Sequence, residues 1–475
     1  MTPRIVIVVC DGLRPDRIDP VRTPAIWRLR EEGAWFTNSR TVFPSETRVA
    51  AASLVTGSSP GEHGIIANDF YDATIFPDRP IATARAADLE ELARIRSRLL
   101  ARMTLAERVA AAGLRYAVVS TASAGTSAIL AAGARAAGAF AWSIHPGCRS
   151  PGAHEEVARR FGRPPPCAIP RGEAIAHASA IFADHVLAEL EPDLAIFWCG
   201  EPDSTYHAKG LSGPEPLAAE RCADEAVHRV VEWRAGCGDP DRVQLVVASD
   251  HGHVVGGQRV DIRAEMRSAG WRVAEGCPAA GDMLVVPGAA SLVYGLREGT
   301  RAGHEFISWL SDQPWFGAAF AESTTMGRAT IADLGLCHPR RPDLVFTLRH
   351  GGATDGIGGA GCAYDADLAP GAGLHGGLHP SEMANVLLFS GSLFRRDARL
   401  SSPAGIVDIA PTIGTLLGLG CAGMSGRVLR EALVDGGPPP IPTHDALQPL
   451  ASLGRASLSR SHAGGRSYID GLHVA

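Results

Sequence analysis

Residues 244–253 read Gln-Leu-Val-Val-Ala-Ser-Asp-His-Gly-His, an apolar run that leads directly into two adjacent polar side chains, Asp250 and His251. A short continuous apolar run is typical of a strand that is buried on both faces, as in a parallel sheet. A carboxylate directly after such a strand would be costly to bury without a partner. The stretch therefore predicts a buried strand with a polar site, most simply a metal site, at its carboxyl end.

Outward from this stretch, short apolar runs alternate with longer amphipathic segments. Further strands are predicted at 5–9, 116–120, 194–198, 343–348 and 384–389, with a weaker one at 283–286. Helices are predicted at 23–32, 87–112, 173–190, 216–235, 259–269, 300–311 and 405–417. This alternation predicts an α/β fold with a mostly parallel central sheet, helices on both of its faces and small cap insertions. In such sheets the active site lies beyond the carboxyl ends of the strands.

The residues that follow the predicted strands are carboxylates and imidazoles. Asp11 follows the strand at 5–9, Asp203 and His207 follow the strand at 194–198, and His375 lies in a glycine-rich loop. Each has an ordinary alternative: Asp11 as part of an Asp-Gly turn, the Asp203/His207 pair as surface residues, and His375 as a loop residue. Taken together with Asp250 and His251, they form two sets of oxygen and nitrogen donors. Such sets suit zinc or a similar divalent metal.

Thr47 is the candidate nucleophile. It lies in a turn that opens a helix of small residues, where backbone N–H groups and the positive end of the helix dipole favour an anion. The alternative is that Thr47 is an ordinary helix cap. Two metals about 3.5–4 Å apart can clamp the attacking and leaving oxygens of an in-line displacement at phosphorus.

Composition excludes several classes of protein. The chain has 475 residues, 45 basic and 51 acidic side chains and 45% hydrophobic residues, which excludes a disordered chain, and no stretch reaches the length of a membrane span. A pI near 6.3 without a basic stripe argues against a nucleic-acid-binding surface. The single lysine, Lys209, is explained by base composition or by a function in substrate binding. The oligomeric state stays open.

Location and domain organisation are also predicted. Ten cysteines without CxxC spacing are typical of a reducing compartment, and the apolar run at 5–10 is too short for a signal-peptide core, so we expect a cytoplasmic protein. We expect one catalytic domain over residues 1–434, with insertions around 139–172 and 270–340. Residues 435–475, with a proline run and a Ser/Arg/Gly-rich stretch, are expected to form an extended arm or tail.

The ordered set of these motifs resembles the alkaline phosphatase superfamily, and specifically its type I phosphodiesterase/nucleotide pyrophosphatase branch. The resemblance covers most of residues 4–420, including the segments at 23–29 and 407–413. It implies an alkaline-phosphatase-like fold and two divalent metal ions, zinc in the first place with Mn²⁺ or Fe²⁺ as alternatives. It also implies hydrolysis of phosphate diesters or nucleotide pyrophosphate bonds through a phospho-threonine intermediate.

Residue roles follow from the resemblance. One metal is assigned to Asp203, His207 and His375, and the other to Asp11, Asp250 and His251 with Thr47. In the family the nucleophile lies nine positions before the threonine of a Thr-Gly pair. That threonine is Thr56 here, so the spacing selects Thr47 over Ser45 and Ser53. The phosphate-holding asparagine corresponds to Asn68. The substrate is implied to be a small-molecule phosphoester.

The sequence departs from the branch at the nucleophile, where Thr47-Arg48 replaces the usual Thr-Phe. Arg48 and Lys209 are therefore candidates for binding a second anionic group of the substrate, with a surface ion pair as the alternative for Arg48. The leading alternative function is a phosphonoacetate-hydrolase-like or phosphomonoesterase activity on a small anionic substrate. Sulfatase activity is disfavoured because the cysteine that sulfatases have at the nucleophile position is absent. A phosphomutase is a weaker alternative because no large inserted domain is evident. A binding protein without turnover would predict a broken ligand set, whereas all six Asp and His ligands and the threonine are present.

Overall fold

The computed structural model describes residues 2–134, 138–150, 152–279, 281–296, 299–322, 328–354, 360–452 and 454–474. The strands of its three larger sheets are, in chain order, β1 (Arg4–Cys10), β2 (Ala34–Phe36), β3 (Tyr116–Ser120), β4 (Phe140–Ser143), β5 (Leu194–Cys199), β6 (Val243–Ala248), β7 (Val273–Ala274), β8 (Met283–Val286), β9 (Ala290–Tyr294), β10 (Phe316–Ala321), β11 (Leu344–Leu348), β12 (Leu387–Ser390), β13 (Ala398–Leu400), β14 (Thr443–Leu447), β15 (Ala451–Ser452), β16 (Ala456–Ala463) and β17 (Arg466–Val474).

The helices of the described residues are α1 (Pro24–Glu32), α2 (Thr47–Thr56), α3 (Pro60–His63), α4 (Ala86–Arg96), α5 (Leu105–Ala111), α6 (Ala124–Leu130), α7 (Ala153–Phe161), α8 (Gly172–Ala180), α9 (Asp203–Lys209), α10 (Pro214–Gly236), α11 (Ile262–Ser268), α12 (Arg301–Ser311), α13 (Pro380–Met383) and α14 (Ile409–Leu416). Helix α8 continues into a π-helical segment, Ile181–Leu190. Short 3₁₀ turns lie at Pro15–Arg17, Pro146–Cys148, Pro240–Arg242, Ile406–Asp408 and Arg430–Ala432.

The central sheet has eight strands in the order β13-β2-β12-β6-β1-β5-β3-β4. Strands β6, β1, β5, β3 and β4 are parallel, and β12 joins them antiparallel to β6. One apolar core packs on each face of this sheet, and β1, β5 and β6 are buried along their whole length. The predicted α/β class with a mostly parallel central sheet is thereby confirmed.

A second sheet of six strands, in the order β7-β8-β9-β11-β10-β15, is mainly antiparallel and has its own apolar core. Its strands come mostly from the expected insertion at 270–340, and they include the strand predicted at 343–348. The expected insertion at 139–172 differs from a simple cap loop, because it contributes β4 to the edge of the central sheet. Apolar runs of the sequence thus form strands in both sheets. Which of the two sheets a strand joins depends on its tertiary contacts.

The last residues form a three-stranded antiparallel sheet, β14-β16-β17, where the sequence predicts an arm or tail. Gly464 and Gly465 connect β16 to β17, and both have positive φ, as a two-residue hairpin turn requires. Leu472 N–H in β17 donates to Leu378 O at 2.8 Å. This sheet therefore supports the loop that carries His375.

Five two-stranded ribbons complete the described strands: Ser39–Arg40 with Ala404–Gly405, Asp69–Phe70 with Ile81–Ala82, Val254–Val255 with Gly373–Leu374, Gln258–Arg259 with Tyr364–Asp365, and His350–Thr354 with Ala360–Cys362. None of the helices in the described ranges is both long and apolar enough to cross a membrane.

Candidate metal centre and nucleophile

The carboxyl ends of three neighbouring strands, β6, β1 and β5, bring three carboxylates together. Asp11 follows β1, and its backbone N–H donates to Cys199 O at 2.9 Å. Asp203 begins α9 beyond β5, and its N–H donates to Asp11 O at 3.0 Å. Asp250 follows β6 and accepts a hydrogen bond from Gly12 N–H at 2.9 Å. The site is therefore assembled by the parallel register of the sheet itself.

Asp203 lies at the centre of the first group of ligand atoms. Its Oδ1 is 3.2 Å from His207 Nε2, 3.4 Å from His375 Nε2 and 3.2 Å from His253 Nε2. The Nε2 atoms of His207 and His375 are 3.1 Å apart. Because α9 is helical, the four-residue spacing places Asp203 and His207 on the same face.

Each histidine of the site has its Nδ1 beside a backbone carbonyl oxygen. His207 Nδ1 is 2.8 Å from Gly373 O, His375 Nδ1 is 2.8 Å from Ser45 O, and His251 Nδ1 is 3.1 Å from Gly252 O. A carbonyl oxygen only accepts, so Nδ1 carries the proton and Nε2 of the neutral ring is a lone pair. Histidines that bind metals are oriented by this kind of second contact.

Asp11, Asp250, His251 and Thr47 form the second group. His251 Nε2 lies 3.2 Å from Asp250 Oδ2, 3.7 Å from Asp11 Oδ1 and 3.2 Å from Thr47 Oγ1. One oxygen of each carboxylate is already bonded, since Trp198 Nε1 donates to Asp11 Oδ2 at 2.9 Å and Gly12 N–H donates to Asp250 Oδ1. The remaining oxygens therefore face the same point.

Among the described residues, four polar atoms of this site are buried without a hydrogen-bond donor or acceptor: Asp11 Oδ1, Asp203 Oδ1, Asp250 Oδ2 and His253 Nε2. Buried polar groups in folded proteins are normally satisfied, and exceptions need an explanation. All four atoms carry lone pairs, so only a hydrogen-bond donor or a cation would satisfy them. The residues present thus fit divalent cations at both groups.

The pKa values reflect this concentration of carboxylates. Burial and the neighbouring charges of Asp250 and Asp203 raise the pKa of Asp11 well above its usual value, and burial raises the pKa of Asp250 to about 7. Burial lowers the pKa of His251, so its ring stays neutral. The raised pKa values show that the protein does not offset the negative charge of two carboxylates, Asp11 and Asp250. A bound cation would offset it.

Thr47 is the first residue of α2 and is buried. Its backbone N–H belongs to the first turn, where helix N–H groups have no partner within the helix. Small side chains, Ala50 to Ala52, let α2 be buried along its length, and Gly57 ends it with a φ of 62°. The hydroxyl is thereby held beside the second ligand group, at the N-terminal turn of the helix.

Asn68 and Arg48 flank the nucleophile. Asn68 Oδ1 accepts the backbone N–H of Arg48 at 3.3 Å, so the other end of the amide, Nδ2, is a hydrogen-bond donor. Glu46 accepts the backbone N–H of Asn68 and ties this segment to the start of α2. The Arg48 side chain is half-buried, and its Nε donates to Thr83 Oγ1 at 3.1 Å. The Asn68 amide is therefore held at the first turn of α2, and the Arg48 side chain is held by Thr83.

The comparisons with known proteins identify the family. The sequence pattern of the type I phosphodiesterase/nucleotide pyrophosphatase family matches residues 5–272, a little over half of the chain. The chain belongs to this family. The family prediction from the sequence is thereby confirmed, and the matched range contains every ligand of the two groups except His375.

Similarity to curated members of the family is confined to a short segment. The chain is 33% identical over 73 residues to the bis(5'-adenosyl)-triphosphatase ENPP4 of Homo sapiens and 35% identical over 72 residues to that of Xenopus laevis. These segments cover 15% of this chain and 16% of each relative. The chain thus matches only a small part of the length of these relatives.

Similarity of fold extends much further. Murine ectonucleotide pyrophosphatase/phosphodiesterase 5 matches this chain with a TM-score of 0.63 at 16% identity, over 90% of this chain and all of that protein. An inactive variant of the same phosphodiesterase, solved in complex with AMP, matches with the same TM-score over 91% of this chain. These likenesses show that this family member has the fold of the ectonucleotide pyrophosphatases.

The structure brings together most of the residues named from the sequence. Asp11, Asp203, His207, Asp250, His251, His375, Thr47 and Asn68 all belong to the site described above. Arg48 lies beside it. Lys209 ends α9 with its side chain 45% exposed and 3.8 Å from Glu215 Oε1, and the described contacts do not connect it to the ligand groups.

Sequence reasoning missed three supporting residues, namely His253, Trp198 and Glu46. His253 belongs to the Asp-His-Gly-His stretch, but only Asp250 and His251 of that stretch are predicted as metal ligands from the sequence. Trp198 appears in the sequence only as part of an apolar strand. The described roles of Ser45 and Ser53 are structural, since Ser45 Oγ bonds the Gly376–Gly377 backbone and Ser53 Oγ contacts His63.

Proposed function

We propose that this protein hydrolyses phosphate diesters or nucleotide pyrophosphate bonds and that Thr47 is the nucleophile. The observation that carries the proposal is the position of Thr47 Oγ1, which lies 3.2 Å from His251 Nε2, the same atom that lies 3.2 Å from Asp250 Oδ2 and 3.7 Å from Asp11 Oδ1. The family of the chain supports the reaction class. The AMP bound by the similar murine phosphodiesterase supports a nucleotide as one kind of substrate.

Two divalent cations, zinc in the first place, would be held by the two ligand groups. When bound, they would lower the pKa of the threonine hydroxyl and offset the negative charge of the phosphoryl group. Manganese and iron(II) remain alternatives, since imidazole and carboxylate donors suit each of them.

The chain's own residues supply the other steps. Thr47 Oγ1 loses its proton to solvent and attacks phosphorus, the bond from phosphorus to the leaving oxygen breaks, and a phosphorylated Thr47 forms. The Thr47 N–H and Asn68 Nδ2 would donate to a non-bridging oxygen as charge develops. Water then attacks the same phosphorus, the bond between phosphorus and Thr47 Oγ1 breaks, the phosphate product leaves, and Oγ1 takes up a proton from the attacking water.

The experiment is a comparison of wild-type protein with Thr47→Ala on bis-p-nitrophenyl phosphate, with the metal content of both measured. The variant is expected to lose about 10³-fold or more in kcat, as nucleophile variants do. Its metal content should stay at the wild-type value, because the Asp and His ligands remain. Retained turnover in Thr47→Ala would contradict the proposal.

A second candidate, a phosphonoacetate-hydrolase-like or phosphomonoesterase activity on a small anionic substrate, is favoured by Arg48. A guanidinium beside the nucleophile can bind a second anionic group. Rates with bis-p-nitrophenyl phosphate, p-nitrophenyl phosphate and phosphonoacetate separate the two candidates. If the second is correct, one of the last two substrates will be preferred, and Arg48→Ala will slow it while the exposed control Arg28→Ala will not.

We also propose a cytoplasmic location and a small-molecule partner for the site. All ten cysteines lie among the described residues and are free thiols, a usage typical of a reducing compartment. Fractionation of the native source tests the location, and recovery outside the cytoplasm would contradict it.

A further inference from the structure

His253 is the one imidazole at the site that the family assignment leaves without a role. It is fully buried, and its ring packs edge-on against Tyr206, with a centroid distance of 5.1 Å. Gly12 makes room for it, because a Cβ at Gly12 would lie 2.4 Å from His253 Cε1. The ring is therefore a built part of the centre, held from both sides.

The contacts of His253 determine which nitrogen carries its proton. Nδ1 lies 3.2 Å from Gly12 O, which only accepts, so the neutral ring is protonated at Nδ1. Nε2 is then a lone pair, and it lies 3.2 Å from Asp203 Oδ1. Both atoms are buried without a donor among the described residues. A divalent cation between these two atoms would be bound by both lone pairs.

The distances around Asp203 are those of a tetrahedral site. Zinc bonds of about 2.0–2.2 Å to nitrogen and oxygen give ligand–ligand separations of about 3.3–3.5 Å in a tetrahedron. The separations between Asp203 Oδ1 and the Nε2 atoms of His207, His253 and His375 are 3.2, 3.2 and 3.4 Å. The Nε2 atoms of His207 and His375 are 3.1 Å apart. Four of the six edges, including the one between Asp203 and His253, are therefore close to tetrahedral values, and His253 lies with Asp203 and His375 in one group of candidate ligand atoms within 4.8 Å of one another.

We propose that His253 is a fourth protein ligand of the cation held by Asp203, His207 and His375, so that three imidazoles and one carboxylate hold this cation and the substrate would join them as a fifth ligand. The inference rests on the metal binding of the proposed function. It distinguishes the two positions, because the group of Asp11, Asp250 and His251 has one imidazole and two carboxylates. Imidazole-rich sites suit zinc, whereas oxygen-rich sites also suit manganese and magnesium.

The expected consequence is sequential loading. The imidazole-rich position should take the first equivalent of Zn²⁺ and should be the last to lose it to a chelator. X-ray absorption of the full-length wild-type protein with one equivalent of Zn²⁺ should show three imidazoles in the coordination shell. A shell with two imidazoles would overturn the inference and leave the proposed function intact.

The variant His253→Gln sharpens the test, because glutamine still hydrogen-bonds Asp203 but is a poor zinc ligand. If His253 is a ligand, the dissociation constant for the first Zn²⁺ should rise about 100-fold or more in a competition titration, and the visible spectrum of the Co²⁺-loaded protein should lose tetrahedral character. His338→Gln, a half-buried histidine outside the centre, is the matched control and should bind as wild type does. An unchanged dissociation constant and spectrum in His253→Gln would show that His253 only positions Asp203, and would overturn the inference.

Failure of the two proposals is distinguishable. Wild-type protein that binds no divalent metal would overturn the proposed function together with this inference. Wild-type protein that binds metal with two imidazoles at the first position would overturn this inference alone. Because these arms use wild-type protein, the test does not depend on whether the variant folds.

Discussion

At the scale of single residues, the site depends on partners that no ligand motif contains. Trp198 lies within β5, and its indole N–H fixes one oxygen of Asp11, so that the other oxygen faces His251. Gly12 does the same for Asp250 through its backbone N–H. These contacts determine the direction in which each carboxylate points, and the direction of a ligand is part of its affinity for a metal.

Trp198→Phe tests this role. The substitution keeps an aromatic ring in the core but removes the donor to Asp11, so the affinity for the ion at the Asp11, Asp250 and His251 group should fall about 10- to 100-fold. The measurement is a competition titration of the second Zn²⁺ equivalent. The control is Trp35→Phe, which removes an indole N–H that has no hydrogen-bond partner in the described part of the chain. Equal affinities in the two variants would contradict the role assigned to Trp198.

The residues of the site differ in how far the sequence could predict them. Asp250, His251, Asp203 and His207 were recognisable because polar side chains that follow a buried apolar strand are costly to bury unless they bind a partner. His253 was not recognisable, because its function depends on the space left by Gly12, a residue 241 positions away, at a contact that only folding creates. Glu46 was missed for the same reason, since its partner Asn68 comes from another segment.

At the scale of elements, the N-terminus of α2 carries the groups that the proposed reaction uses. Its first turn presents Thr47 and its backbone N–H, and the segment around Asn68 is tied to it through Glu46 and the Arg48 N–H. A helix N-terminus favours an anion through its N–H groups and its dipole. The element therefore places the proposed nucleophile and the donors proposed for a phosphoryl oxygen in one unit.

Asn68→Ala tests the donor role within this unit. Loss of one preorganised donor to a developing charge is expected to lower kcat about 10²- to 10³-fold, with a smaller change in KM. Steady-state kinetics on bis-p-nitrophenyl phosphate measure both constants. Asn68→Asp provides a second arm, because it keeps the size of the side chain but replaces the donor with a negative charge, and it should be at least as slow. A variant with wild-type kcat would contradict the role of Asn68.

Element boundaries were predicted less well than element types. The helix expected over 87–112 is two helices, α4 and α5, because Ser97 ends α4 with a φ of 63° and Thr104 starts α5 with a capping box. The strand at 343–348 was recognised, but it belongs to the second sheet. Apolar runs predict that a segment is a buried strand, whereas long-range contacts determine its neighbours.

At the scale of the whole molecule, buried polar groups make stability depend on pH. His63 is fully buried, and burial lowers its pKa from 6.5 to about 3. The folded state therefore does not take up a proton between pH 6.5 and 3, whereas the unfolded state does. Stability from this group is present above pH 6.5 and is lost as the pH falls toward 3, with a slope of up to about 1.4 kcal/mol per pH unit.

His63→Gln should remove this part of the acid destabilisation. Denaturant unfolding at several pH values between 7 and 4 measures the slope of the free energy of unfolding against pH, which should be shallower in the variant even if its stability at pH 7 is lower. The control His228→Gln changes a histidine that is about half exposed, and it should keep the wild-type slope. A wild-type slope in His63→Gln would contradict the prediction.

The central claim is a double displacement in which Thr47 carries the phosphoryl group between two attacks. Each in-line attack inverts the configuration at phosphorus, so two successive attacks give net retention. The most direct measurement is hydrolysis of a phosphorothioate diester of known configuration in ¹⁸O-labelled water, with the configuration of the product determined. A phospho-threonine intermediate predicts retention. Inversion, the result of a single attack by water, would contradict it.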